Sequence, residues 1–288
     1  MKTLSTPSYD LTRPAEWASG VIFASPHSGS HYPDWFLAGT RLPTEILRSS
    51  EDAFMDRMIA GAPAHGAATL TARIPRCIVD LNRALDEIDP QLVSGIPHHP
   101  LNQRTVAGLG VIPRVVSQGR AIHHRPIPRA EAERRLDTYW RPYHAALAGL
   151  IAEARARFGQ AILIDMHSMP HDALSHLGGM RPDIVLGNRH GLSAAGRIID
   201  AVASALETEG WRVRRNSPFS GAYIAQAYGR PAQNVHVVQV EIDRALYMDE
   251  ARITPLPDFD AVRTRMDRVV ARLARYGVAE GGSAMAAE

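Results

Sequence analysis

The stretch Ala161–Met169, reading Ala-Ile-Leu-Ile-Asp-Met-His-Ser-Met, constrains this chain most. An apolar run of strand length that ends in polar residues is the pattern of a buried parallel strand delivering side chains at its carboxyl edge. Such a strand needs cover on both faces, which commits the chain to an α/β architecture. In open α/β sheets that edge is where ligands bind. Asp165 and His167 are two apart, so an extended backbone turns both toward one side. An aspartate beside a histidine fixes the ring's tautomer and raises its basicity, which is how carboxylates support metal-bound imidazoles. Taken alone, His167 reads first as a strand cap through a backbone hydrogen bond.

The segment Gly20–Gly29 repeats the theme, an apolar strand running into Ser25-Pro26-His27-Ser28-Gly29. Two strand ends that each present a histidine make a shared site a stronger reading than either alone. Residues Pro43–Ala60 read as helix, with Ile46, Leu47, Phe54, Met58 and Ile59 on an apolar face and an interruption near Ser49-Ser50. Ser50 then caps a second helix whose first turn holds Glu51 and Asp52, either complementing the dipole or supplying a metal carboxylate. Ala67–Leu70 and Ile78–Arg83 give the next β signals. Arg76, Asn82 and Arg83 flank the second of these, and a guanidinium beside an amide suits a planar carboxylate. The alternative is a surface Asp80–Arg83 pair of little energetic weight.

Residues 85–128 are irregular and rich in Pro, Gly and His, which implies a functional loop or local hairpins. His98-His99 and His123-His124 resemble metal pairs, but adjacent residues of an extended chain face opposite ways. Glu131–Arg157 reads as a long amphipathic helix or helix pair, with Leu136, Tyr139, Trp140, Tyr143 and Leu147 as core and a kink at Arg141-Pro142. Asp183–Asn188 is a short strand opening into Arg189-His190-Gly191. The helix after it, Ser193–Glu209, starts near Gly191, which is either an anion-holding N-terminus or an ordinary turn. Trp211–Arg214 is strand-like, and Pro218–Tyr223 is a loop whose Gly221 permits close backbone approach. Asn234–Asp243 is another strand. Within it, Glu241 lies between Val240 and Ile242, as suits a partly desolvated general base, or else pairs with Arg244 at the strand end. A helix over Pro257–Tyr276 closes the chain, and 277–288 reads as a frayed tail.

With 288 residues, 45% of them hydrophobic, the chain has material for one large domain or two small ones. Strands alternate with helices throughout, with neither repeat nor linker. The expectation is therefore one domain over 1–288, core about 18–276, with a mixed, mostly parallel sheet flanked by helices. Net charge is +2, without a long block of like charge, which argues against nucleic acid or membrane partners. The one cysteine, Cys77, leaves no intramolecular disulfide and no cysteine-based zinc site. The amino terminus lacks an apolar signal core and no stretch reaches membrane-spanning length, so a soluble cytoplasmic protein is expected, monomeric or weakly homo-oligomeric.

The combination Ser25-Pro26-His27-Ser28-Gly29, Glu51-Asp52, Asp80-Leu81-Asn82-Arg83, Asp165-Met166-His167-Ser168 and Val240-Glu241-Ile242-Asp243 resembles the N-formylglutamate amidohydrolase family. The resemblance runs from about residue 20 to 275 and includes Leu246-Tyr247-Met248-Asp249-Glu250. It implies a zinc-exopeptidase-like (phosphorylase/hydrolase-like) α/β fold, related to zinc carboxypeptidases and aspartoacylases. It also implies His27 and His167 as metal ligands. The carboxypeptidase pattern has a glutamate three residues after the first histidine, where this chain has Ser30. The third ligand then comes from elsewhere, Asp52 first and Glu51 second. Asn82 and Arg83 resemble the pair that grips substrate carboxylate, and Glu241 resembles the water-activating glutamate. Two imidazoles and a carboxylate leave an open position on Zn²⁺, and other divalent ions fit the same donors. Arg76 is a candidate for the nearby oxyanion donor, Arg189 or another loop arginine is the candidate second cation for a glutamate side chain, and Gly221 and Tyr223 are candidates for the rest of the substrate pocket. The implied reaction is metal-dependent hydrolysis of N-formyl-L-glutamate to formate and L-glutamate, as in histidine degradation. An N-acyl-amino-acid deacylase of other specificity, a small carboxypeptidase, and a non-catalytic carboxylate- or metal-binding module are the alternatives.

Overall fold

In the computed structural model the described residues are 7–96, 102–175 and 180–285, with side chains described through 278. His98-His99 lies outside them. The main strands are β1 (Tyr9–Thr12), β2 (Val21–Ser25), β3 (Ala68–Ala72), β4 (Ala161–Met169), β5 (Ile184–Gly187), β6 (Val213–Arg215) and β7 (Val235–Asp243). They form a seven-stranded sheet in the order β1-β3-β2-β4-β7-β5-β6. The apolar run Ala161–Met169 is β4, buried at all nine positions. It runs parallel to β2 on one side and β7 on the other, while β5 is antiparallel to β7 and parallel to β6. The sheet is thus mixed and mostly parallel, as the alternation of strands and helices requires.

The chain divides into two compact units. One comprises Leu11–Ser25, Phe54–Leu70 and the chain from Leu147 onward, and is built on the sheet. Helices Met55–Ile59, Gly196–Thr208 and Phe259–Met285 cover one face of it. There Phe23, Ile164, Met166 and Val240 meet Val202 and Leu206 from one helix and Met266, Val269 and Leu273 from another. Each such side chain contributes about 1.5–3 kcal/mol when buried. Because side chains alternate along a strand, the intervening residues of β4 and β7 face the other way. Toward the carboxyl ends that second set is mostly polar: Asp165 and His167 on β4, Gln239, Glu241 and Asp243 on β7.

Two expectations for this unit are corrected. The last helix does not stop at Tyr276 but continues to Met285. Gly277 is no break, because it sits where a Cβ would press on Val21 Cγ2 at 2.7 Å and Ser19 Oγ at 2.8 Å, so the glycine lets the helix pack on the start of β2. The Gly196–Thr208 helix begins after Ala195, not at Ser193, and Gly191 ends a separate short turn, Arg189–Gly191. Gly191 is therefore the ordinary turn of the two readings. Among the described residues no helix is long and apolar enough to cross a membrane.

The other unit comprises the chain up to Asp10, Pro26–Ala53 and Thr71–Ala146. The irregular stretch does contain local pairings, Val93–Ser94 with Ile127–Pro128 and Val115–Val116 with Arg120–Ala121. The Ile78–Arg83 signal is not a strand. Asp80 Oδ1 accepts from the backbone N of Asn82 at 2.8 Å, closing an Asx turn that outcompetes extension. Glu51 and Asp52 do not open a helix either. The helix Thr44–Arg48 ends before them, Ser50 Oγ donates back to Leu47 O, and the next helix starts only after Phe54, whose φ of 68° is left-handed. The long helix expected over Glu131–Arg157 is Arg129–Arg135, then a turn of π-helix at Leu136–Trp140, then Arg141–Phe158. Pro142 has no N–H for the carbonyl of Thr138, and the helix relaxes by one residue just ahead of it, where the kink was expected.

Candidate active site

The two histidines arrive at neighbouring strand ends. Ala24 of β2 pairs with Asp165 of β4; His27 follows two residues after the end of β2, and His167 lies within β4, two residues past Asp165. A turn at Gly29 makes the first possible, since any Cβ there would collide with the backbone of Ile74. Asp52 is brought in by its backbone, whose N donates to His27 O at 2.9 Å. His27, Asp52 and His167 each offer one ligand atom, and these atoms lie within 4.8 Å of one another. All three residues are at most 2% exposed.

The surroundings of the imidazoles match what metal-ligating histidines need. His27 Nε2 lies 2.7 Å from Asp80 Oδ1, while its Nδ1 lies 3.4 Å from Asp52 Oδ2. His167 Nε2 lies 3.1 Å from Asp165 Oδ2. Each ring therefore has a buried carboxylate at its Nε2, the kind of partner that fixes the tautomer of a metal-ligating imidazole. A group of two histidines and a carboxylate so arranged can hold a metal ion.

Glu51 is turned away from that task. Its Oε1 accepts from Tyr32 Oη at 2.6 Å, and Arg48 Nε lies 3.3 Å from both carboxylate oxygens. Burial, with Cys77 and Glu51 nearby, pushes the Tyr32 phenol far above its ordinary range, so it stays a donor. Of the adjacent acids, Asp52 joins the histidines and Glu51 anchors the loop.

Asp80 is the hub of the remaining predicted residues in this unit. It is buried and receives Arg76 Nη2 at 2.6 Å, His27 Nε2 and the Asn82 N–H. Burial alone would raise its carboxyl, but Arg76, His27 and Arg83 outweigh that and hold it well below the usual carboxylate range. The surface Asp80–Arg83 pair is thereby replaced by a buried network. Asn82 and Arg83 are themselves buried, with Arg83 Nη1 donating to Asn82 O at 2.8 Å and Nε to Leu109 O at 3.0 Å.

On the sheet, Glu241 stands level with His167 in the parallel β4–β7 register, so both project from the same face. Its Oε1 accepts from Gln239 Nε2 at 2.7 Å, and Gln239 Oε1 in turn accepts from Ala222 N at 2.8 Å. Arg244 Nε donates to Ser168 Oγ at 3.1 Å. Gly221, at φ 114°, lies under Arg189, whose Cγ would be 3.1 Å from an added Cβ. A side chain at Gly187 would meet Gly221 N at 2.6 Å, so this loop needs glycine on both sides to reach β7. Tyr223 begins the short helix that follows, Tyr223–Tyr228. Arg189, Gly221 and Tyr223 thus gather on the loop tied to Gln239, while Arg76, Asn82 and Arg83 gather on Asp80. Two contributors escaped the sequence reading. In the sequence, Gln239 is marked only by its place two residues before Glu241, and Asp80 stands in the Asp80-Leu81-Asn82-Arg83 motif without a role beyond the alternative surface pair.

The sequence matches the N-formylglutamate amidohydrolase family over residues 19–248. It is 33% identical over 235 residues to an N-formylglutamate deformylase of Pseudomonas aeruginosa, covering 80% of this chain and 82% of that one. A Pseudomonas putida protein of the same name is 28% identical over the same coverage. A crystal structure of an N-formylglutamate amidohydrolase from Ralstonia eutropha superposes with a TM-score of 0.89 at 34% identity, over 94% of this chain and 99% of that one. With this match spanning the strands and turns that carry the site, the chain belongs to the N-formylglutamate amidohydrolase family, hydrolases of an amide bond.

Proposed function

We propose that this chain hydrolyses the formyl amide of N-formyl-L-glutamate, giving formate and L-glutamate, as one catalytic domain that uses a single divalent ion, zinc in the first instance. The observation that carries the proposal is the approach of the His27, Asp52 and His167 ligand atoms to within 4.8 Å, with carboxylates behind both imidazoles. His27 and His167 through Nδ1, and Asp52 through a carboxylate oxygen, would hold the ion. When bound, the ion supplies Lewis-acid polarisation of the formyl oxygen and acidifies water at neutral pH.

The protein's own groups do the rest. Glu241, held by Gln239, takes the proton of the attacking water as the oxygen bonds to the formyl carbon. It then delivers that proton to the amide nitrogen as the C–N bond breaks, so one carboxylate serves as base and acid in turn. Arg76, fixed by Asp80, stabilises the negative charge that develops on the formyl oxygen, a contribution typically of about 3–4 kcal/mol. Asn82 and Arg83 bind the α-carboxylate, and Arg189, on the loop with Gly221 and Tyr223, answers the side-chain carboxylate. Two anionic groups on the substrate match two separate sets of cations on the chain. The test is formate release by purified zinc-loaded protein over a panel of N-formyl and N-acetyl amino acids. N-formyl-L-glutamate is expected to lead the panel, with Glu241→Gln reducing its turnover at least 10²-fold. Turnover by the variant equal to that of the native chain, or preference for an N-acetyl substrate, would overturn the assignment.

A further inference from the structure

Three consecutive carbonyls, those of Leu81, Asn82 and Arg83, each accept a hydrogen bond from a side-chain N–H. His144 Nε2 donates to Leu81 O at 2.9 Å, Arg83 Nη1 to Asn82 O at 2.8 Å, and Trp140 Nε1 to Arg83 O at 3.0 Å. The turn bearing Asn82 and Arg83 thus has its carbonyls fixed from one side, while Asp80 fixes the Asn82 N–H. Trp140 and His144 are four apart on the helix, with rings stacked at 3.8 Å between centroids and 27° between planes. Both are buried, and Trp140 is the last residue of the π-helical turn. The extra residue in that turn rotates the following helix relative to the preceding one, which is how Trp140 and His144 come to face the Leu81–Arg83 turn while Arg135 faces Trp35 and Phe36.

We infer that Trp140 and His144 are positioning residues that set the α-carboxylate grip of Asn82 and Arg83, so that recognition of this group depends on a stacked pair that never touches substrate. The inference rests on the reading of Asn82 and Arg83 given above. A buried carbonyl without a donor is costly. Removing either clamp therefore makes the turn seek another arrangement, and a guanidinium displaced by even 1 Å loses its two-point fit to a carboxylate. Core packing alone would need no N–H on either ring.

The experiment compares two ligands that differ only in the group at issue, L-glutamate and 4-aminobutyrate, by calorimetry, and their N-formyl derivatives by turnover. Trp140→Phe keeps the ring on His144 and deletes one donor. It is expected to weaken L-glutamate binding and raise KM for N-formyl-L-glutamate about tenfold, with kcat changed less than about twofold and 4-aminobutyrate and its N-formyl derivative unaffected. His144→Gln, which retains an N–H, should lie closer to the native chain than His144→Leu. Equal loss for both ligands, or for neither, would overturn the inference. Arg83→Gln separates the two layers of reasoning. If it abolishes the preference for L-glutamate while Trp140→Phe preserves it, the clamp is wrong and the grip stands; if Arg83→Gln itself preserves the preference, the grip is wrong and the clamp falls with it.

Discussion

Asp80→Asn is the perturbation that bears most heavily on the site, because one carboxylate answers three donors. Its Oδ1 accepts from His27 Nε2 and from Asn82 N, and its Oδ2 accepts from Arg76 Nη2. The amide keeps the size and one acceptor, so the turn and the His27 contact retain a partner. The oxygen facing Arg76 becomes an NH₂ that can only donate, which sets donor against donor at 2.6 Å. Arg76 is 24% exposed and recovers part of its hydration, so the stability loss falls at about 1–3 kcal/mol rather than the full cost of a stranded buried charge. The loss at His27 is of another kind: a neutral amide no longer raises the basicity of the ring. Replacing such a carboxylate typically costs about 10–100-fold in metal affinity or activity, equivalent to about 1.4–2.7 kcal/mol. Zinc affinity measured by competition with a chromophoric chelator, alongside urea denaturation of the metal-free protein, reads the two effects separately. A variant that binds zinc within twofold of the native chain would refute the role given to Asp80, whatever happened to stability.

Other outcomes follow from single contacts. Gln239→Leu deprives the Glu241 carboxylate of a hydrogen bond and should lower kcat for N-formyl-L-glutamate about tenfold with little change in KM; unchanged kcat would show that Glu241 is oriented by something else. Burial, assisted by the charge of Arg135, lowers the His123 pKa to about 4 from 6.5. The folded state thus binds fewer protons here than the unfolded chain between these values. Stability from this residue is complete above about pH 6.5 and declines as pH falls toward 4, by up to about 3 kcal/mol. Urea denaturation from pH 7 to 4 should show that decline, and His123→Gln should flatten it; an equal slope in the variant would contradict the assignment.

What could be read in the residues was the part built by repetition. The apolar runs of β2, β4 and β7 read as buried strands, and their polar ends put His27, His167 and Glu241 at strand ends, the edge where an α/β sheet binds ligands. Failures occurred where one side chain overrode a local preference. Ile78 and Val79 favour a strand, yet the Asp80 carboxylate captures the Asn82 amide and bends the chain. Glu51 and Asp52 look like a first helical turn, yet a left-handed Phe54 holds them out of the helix. At Gly277 a residue that usually ends a helix is needed for the approach of Val21, and only the neighbour reveals it. The same limit hid Gln239 and the Trp140–His144 pair, whose partners are a loop amide 17 residues away and carbonyls 57 and 63 residues away. Such partners leave no periodic trace in sequence.

Locating one ion tests the central claim most directly. Protein purified with zinc should contain about one equivalent of it, and anomalous diffraction at the zinc edge should place a peak about 2.0–2.2 Å from Nδ1 of His27, Nδ1 of His167 and a carboxylate oxygen of Asp52. Zinc absent after loading, or a peak ligated by Glu51 or by residues away from this strand edge, would contradict the account.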